Sequence, residues 1–248
     1  MARLISIFVI LISMFICPDV RADDFAKLSY ENMVKTLIRY GALDIKKDET
    51  IDEYSVLTEC KLYEYFYKDD FRWQEFRQAM RTKIDQEVKT FPTGYKYDTI
   101  VNLDRYNFSE KLYRFTTQTA IDGVVSFVVE AKDGGTPGCG SMERVKLPTS
   151  YRIVMDNPIY ISGLPFGEIE AKKLLSRLQE AGNNGRAIFV RFNFRITYVA
   201  PVVKNETNYA QQKEGGKFSS EIRLDAKLNS INFYEDPERT KLLYVYRQ

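Results

Sequence analysis

Residues 186–203 read RAIFVRFNFRITYVAPVV, and their periodicity decides the fold. Ile188, Val190, Phe192, Phe194, Ile196 and Tyr198 fall on every second position, with Phe189, Arg191, Asn193, Arg195 and Thr197 between them. Side chains of a strand alternate between the two faces of a sheet, so the stretch predicts a strand with one buried and one largely wet face. Arg191 and Arg195 share the wet face, where two guanidinium groups two pleats apart suit an anionic ligand such as a phosphate or lipid headgroup. The next strand-like run offers a competing account. Glu221, Arg223, Asp225 and Lys227 alternate in sign, and a cross-strand ladder of ion pairs would neutralise the arginines. The ladder is the expectation; Arg191 and Arg195 are the cationic candidates for binding if it does not form.

Upstream of this strand, Ala171, Leu174, Leu175 and Leu178 give an apolar stripe to a helix at about 166–181. Glu168 and Glu170 open it, Lys172, Lys173 and Arg177 follow, and that order suits the helix dipole. Gly182 and Asn183-Asn184-Gly185 turn the chain into the strand. Ser162-Gly163-Leu164-Pro165 reads as the turn before the helix. Further strand-like runs occupy 96–103, 111–119, 124–131 and 150–155. Periodicity leaves open whether the strand–helix–strand unit is a parallel crossover or a helix laid across an antiparallel sheet. Downstream, 204–217 is a polar loop containing the acceptor-like Asn205-Glu206-Thr207, and 222–228 alternates until the phase slips at Ser230, which predicts a bulge. A last strand is expected at 241–246.

The first part of the chain is helical. Tyr30, Met33, Val34, Leu37 and Ile38 recur at helical spacing over 28–40, with Ser29 as N-cap and Gly41 as terminator. Val56, Cys60, Tyr63 and Tyr67 predict a second helix at about 53–67. Trp73, Phe76, Met80 and Ile84 predict a third at about 70–89, its start marked by Asp69-Asp70. The dense rings of this region (Tyr63, Tyr65, Phe66, Tyr67, Phe71, Trp73, Phe76) are expected to be mainly core, with Tyr65 off the main stripe, exposed, and available for binding. Phe91-Pro92-Thr93-Gly94 stops the helical region. The architecture expected is therefore α+β: helices over 23–92, then a mostly antiparallel β-sheet region over 93–248 with one inserted helix, forming one compact unit.

Residues 1–22 have the layout of a signal peptide. Arg3 precedes the apolar run from Leu4 to Ile16, and Val20-Arg21-Ala22 offers a cleavage site after Ala22. The run is shorter than the ~20 residues needed to span a bilayer, so no stable transmembrane segment is expected after cleavage. The destination is the periplasm or the exterior. Two cysteines remain, Cys60 and Cys139, most simply one disulfide in such a compartment, the alternative being two buried thiols.

The chain contains no histidine, which removes Ser-His-Asp and Cys-His catalysis and histidine metal sites. The 134–141 segment is glycine-rich but lacks the lysine of a phosphate loop, and no dinucleotide or calcium-loop spacing occurs. No metal and no cofactor are expected. The 36 basic and 34 acidic residues give +2; the leader holds Arg3, Arg21 and Asp19, so its loss leaves +1. Nucleic-acid binding is not expected of so neutral a chain. A hydrolase would have to use paired carboxylates, with Asp69, Asp70, Asp104 and Glu130 as candidates and envelope glycan as substrate.

The helical start, the export leader, and the run from Gly163-Leu164-Pro165 through Glu170-Ala171 into the long strand resemble bacterial envelope-protein families of unknown function. The resemblance implies an exported protein and carries no site residue with it. The leading expectation is a non-catalytic binding or interaction module that takes an envelope protein or glycan. A carboxylate-dependent hydrolase and a purely structural envelope component are the alternatives.

Overall fold

The computed structural model describes residues 25–130, 147–148, 150–183, 186–200 and 221–248. The leader, Cys139, the glycine-rich segment and the 204–217 loop lie outside them. The order of elements is β1 (Ala26–Lys27), α1 (Tyr30–Arg39), α2 (Asp48–Thr58), α3 (Cys60–Phe66), α4 (Asp70–Glu87), β2 (Gly94–Asn107), β3 (Leu112–Phe115), β4 (Ser126–Glu130), β5 (Ser150–Met155), β6 (Gly163–Pro165), α5 (Glu168–Glu180), β7 (Ala187–Val199), β8 (Glu221–Tyr234) and β9 (Leu242–Tyr246). This is the α+β arrangement expected, helices first and sheet second.

Nine strands among the described residues form one sheet with the spatial order β4-β5-β8-β7-β2-β3-β6; β1 adds to β2, and β9 to β8. Pairing is antiparallel except for β1 with β2 and β5 with β8. The long strand β7 sits between β2 and β8, where both of its backbone edges are satisfied. Following the pair directions, β5 and β6 both run antiparallel to β7. Helix α5 therefore lies over an antiparallel sheet and is not a parallel crossover.

Ile188, Val190, Phe192, Phe194 and Ile196 are buried as their spacing predicts. Tyr198 departs from the pattern and is 51% exposed, while Val199 is buried. The register explains it: Ile196 pairs with Ala226 but Tyr198 with Asp225, so Thr197 is an extra residue on β7 and the phase reverses after it. The slip expected near Ser230 is a second bulge. Asn193 faces Ser230 and Phe194 faces Leu228, which leaves Asn229 unpaired on β8.

The sheet coils over its apolar face. Strands β4 and β2 are four places apart, about 19 Å in a flat sheet at ~4.8 Å per strand. Yet the rings of Phe127 and Tyr97 stack at 4.9 Å. Phe115 of β3 likewise stacks on Phe233 of β8 at 5.8 Å across three strand spacings. Helix α1 packs against this concave side. The Tyr30 ring lies 6.1 Å from Tyr151, Thr36 and Tyr95 hydroxyls are hydrogen-bonded, and the Tyr40 hydroxyl donates to the Ile196 carbonyl at 2.6 Å. Helix α5 covers the β3 end, where the Tyr113 hydroxyl donates to the Ala171 carbonyl at 3.0 Å.

Three local expectations are corrected. Residues 48–52, which precede the helix expected at about 53–67, already belong to α2, because Asp48 and Glu49 in the first turn favour a helix N-terminus. The single helix expected at 53–67 is broken at Glu59, whose backbone (φ −133°, ψ 45°) leaves the helical region, so Val56, Cys60, Tyr63 and Tyr67 are not one buried stripe. Gly163-Leu164-Pro165 is a strand paired with β3 instead of a turn. Only glycine fits there: a Cβ on Gly163 would stand 2.1 Å from the Tyr113 carbonyl oxygen.

Candidate functional site

Two surfaces hold the residues the sequence singles out. The first is the hairpin of α3 and α4. Asp69 caps α4, its Oδ1 accepting from the N–H of Phe71 and of Arg72 at 3.1 Å each. The stripe Trp73, Phe76, Met80 and Ile84 is buried, as predicted. Around Trp73 the rings pack edge-on, with Tyr63 at 5.2 Å and Tyr67 at 5.6 Å, while Phe76 stacks on Trp73 at 5.1 Å and on Phe66 at 5.7 Å. That inner half is structural.

The outer half is not covered. Phe71 is 86% exposed, Tyr65 68%, Tyr67 52% and Leu62 43%, and no residue of α3 is fully buried. Tyr65 is exposed as expected. Phe71, expected among the core rings, lies two residues before Trp73, about 200° around the helix from the buried stripe. That offset was available in the sequence.

The exposed rings stand on a braced support. Arg77 of α4 donates through Nε to Asp52 Oδ1 at 2.6 Å and through a terminal nitrogen to Asp48 Oδ2 at 3.0 Å, with its guanidinium 5.5 Å from the Trp73 ring centre. Arg81 donates to the Ile45 carbonyl at 3.1 Å and to Asp48, and Lys83 pairs with Glu59 at 2.7 Å. Three cations of α4 thereby tie it to acids of α2 and to Glu59 at the end of α2.

The second surface is the wet face of the sheet. Arg191 is held by Asp98 of β2 in a two-pronged pair, Nε to Oδ1 at 2.8 Å and a terminal nitrogen to Oδ2 at 3.0 Å, and Arg239 Nε lies 3.4 Å from the same carboxylate. Partial burial alone would raise the Asp98 carboxyl; the hydrogen bond and charge of Arg191, then Arg239 and Lys96, outweigh it and hold the group below the usual carboxylate range. A cavity of about 340 Å³ beside it is lined by Lys27, Leu28, Lys96, Tyr97, Asp98 and Arg191.

Arg195 donates to Thr93 Oγ1 at 3.1 Å and lies 5.8 Å from the Phe25 ring. Among the described side chains neither arginine has a carboxylate of β8 opposite it, as the expected ladder would require. In register, Arg191 faces Asn232 and Arg195 faces Lys227, while Asp225 pairs with Arg223 of its own strand at 2.7 Å. Tyr65 is not part of this surface, since α3 packs on α2 and α4.

Of the acids proposed for hydrolysis, Asp69 is a helix cap, Asp70 opens α4, and Asp104 is exposed on β2 with its carboxylate accepting from the Arg105 N–H at 2.7 Å. The Glu130 side chain lies outside the described residues. Cys60 begins α3, and its expected partner Cys139 lies outside them too. Among the described residues no three acids or cysteines gather as a metal site needs, and no helix is long and apolar enough to cross a membrane.

An α+β protein with a braced helical hairpin that exposes rings, and a coiled mixed sheet with a charged outer face, is what the geometry defines. The chain belongs to the family described as a domain of unknown function (DUF4852), whose model matches residues 46–177. The matched segment runs from just before α2 into α5 and contains the whole α3–α4 hairpin. No curated protein and no solved structure matches the chain.

Proposed function

We propose that this chain is an exported, non-catalytic interaction module of the bacterial cell envelope, and that it captures a partner protein on Leu62, Tyr65, Tyr67 and Phe71. The observation that carries the reading is the exposure of Phe71 (86%) and Tyr65 (68%) on a hairpin held to α2 by Arg77 and Arg81. Projecting rings on a rigid support lose little conformational freedom when they enter a partner's pocket, and aromatic anchors of this kind dominate interface energetics. A glycan would instead favour a flat platform of rings, whereas Phe71 projects. Export rests on the leader-like residues 1–22 and would permit a Cys60–Cys139 bridge tying α3 to the segment between β4 and β5. The roles of Asp69 and Asp104 favour this reading over a carboxylate hydrolase.

The test is capture from the native envelope fraction by the wild-type chain and by the variant F71S/Y65S. Wild type retains a discrete protein, and the variant retains at least about tenfold less, as expected for losing two anchor rings of ~1–2 kcal/mol each. Because both rings are exposed, thermal unfolding of the variant stays near that of wild type. Equal capture by the two proteins, or retention of glycan alone, contradicts the proposal. A non-reducing gel of the same protein tests the bridge.

A further inference from the structure

The outer face of the sheet has a charge arrangement that β-sheet energetics disfavour. Residues directly opposite on neighbouring strands stabilise a sheet when their charges differ and destabilise it when they match. Here Lys27 of β1 is in register with Lys96 of β2, Arg195 of β7 with Lys227 of β8, and Arg152 of β5 with Arg223 of β8. Each pair is cationic on both sides; Arg223 is bound by Asp225, and Arg152 and Lys96 have partners of their own, so the like-charge contact that bears on the argument is Arg195 with Lys227. The carboxylates in register on this face among the described side chains, Asp98 and Asp225, are already bound by Arg191 and Arg223. Arg195 and Lys227 have no carboxylate partner among the described residues. The formal charge of the whole chain is only +2, so these cations are concentrated, not a sample of a basic protein.

The cations with no carboxylate partner among the described residues run from Lys227 of β8 through Arg195 of β7 to Lys27 of β1, three strand spacings or about 14 Å at ~4.8 Å per strand. They do not converge on one point, so a single small anion is not what they fit. Apolar tips are set among them. The Thr197 bulge turns Tyr198 onto this face beside Arg195, and Ile100 and Val128 also point outward; the three are 51%, 49% and 41% exposed. Spread cations with aromatic and aliphatic tips between them match an anionic bilayer, which offers many phosphates and an interfacial zone that accepts tyrosine. A hydrophilic polyanion would use the charges and leave the tips without a role.

We propose that the outer face of the sheet, centred on Arg195, Lys227 and Tyr198, is a peripheral contact surface for a phospholipid bilayer carrying anionic headgroups. It is separate from the α3–α4 surface and stands or falls independently of it. A chain bound this way lies on the membrane without crossing it, held by charge and therefore released by salt.

The experiment is co-sedimentation of the purified chain with phosphatidylcholine vesicles, with and without phosphatidylglycerol. Wild type and all variants share the same N-terminus and each is run against both vesicle types, so any contribution of residues 1–24 cancels. Binding is expected to require phosphatidylglycerol and to fall with added salt. R195Q/K227Q is expected to bind about thirtyfold more weakly and K227Q alone about fivefold, at ~1 kcal/mol per cation near the surface. K172Q/K173Q, on the outer face of α5, is expected to match wild type. Removing a like-charge pair leaves thermal stability equal or higher, so weakened binding is not a folding defect. Equal partition into neutral vesicles, undiminished binding by R195Q/K227Q, or binding to heparin without binding to vesicles would overturn the assignment.

Discussion

Coiling of the sheet makes a specific energetic demand on Phe127 and Tyr97. They lie on strands four places apart, yet their rings stack at 4.9 Å with planes 16° apart; Phe127 also meets Phe194 edge-on at 5.4 Å. Truncating a core phenylalanine costs roughly 3–5 kcal/mol. Phe127 is only half-buried, so about 2–4 kcal/mol is expected for F127A. An aromatic pair contributes about 0.5–1.5 kcal/mol beyond its buried area, and this part is lost in either single mutant. Urea unfolding of wild type, F127A, Y97A and the double mutant should therefore give a double mutant less destabilised than the sum of the singles, by at least about 0.5 kcal/mol. In a flat sheet the two rings would not meet. Additivity to within about 0.3 kcal/mol would refute the coiled arrangement, whatever the size of the single effects.

Two further outcomes follow from backbone contact and from charge. G163A drives a methyl group into the Tyr113 carbonyl oxygen, 2.1 Å from the ideal Cβ, so β6 must move off β3; a loss of about 1–3 kcal/mol in urea unfolding is expected, and a loss below about 0.5 kcal/mol would contradict the pairing. Asp98 titrates below its usual range when folded, so its contribution to stability is fully present above the unfolded carboxyl pKa and is lost as pH falls through the lower folded value. The stability gap between wild type and D98N is therefore widest near neutrality and closes below about pH 4; a gap unchanged from pH 7 to pH 3 would show that the Arg191 pair does not hold the carboxylate.

The parts of this fold that are local in the sequence were legible there. The alternation of β7 up to Ile196, the Ser29 and Asp69 caps, the Trp73–Ile84 stripe and the bulge near Ser230 all follow from spacings of a few residues. The break at Glu59 was not legible, because no proline or glycine marks it and the spacing of Val56, Cys60 and Tyr63 continues through it. Gly163-Leu164-Pro165 was misread for the opposite reason. Glycine and proline usually signal a turn, but here glycine admits a close neighbouring backbone. The Thr197 bulge, which exposes Tyr198, leaves no mark in a run that still alternates. Register between distant strands was the largest gap: that Arg191 meets Asp98 depends on which strands pair, that Arg195 meets Lys227 depends also on the bulges between β7 and β8, and composition cannot supply either. Of the exposed rings, Tyr65 is exposed as its offset from the stripe implies, and the helical angle between Phe71 and Trp73 likewise places Phe71 outward.

Photo-cross-linking at Phe71 in the native envelope is the most direct test of the interaction surface. A photoreactive phenylalanine analogue at position 71 should yield an adduct with one discrete protein, competed away by unlabelled wild type but not by F71S/Y65S. The same analogue at Glu180, exposed at the end of α5, should yield none. Identical adducts from both positions, or none from position 71, would contradict the claim that the α3–α4 hairpin is where this chain meets its partner.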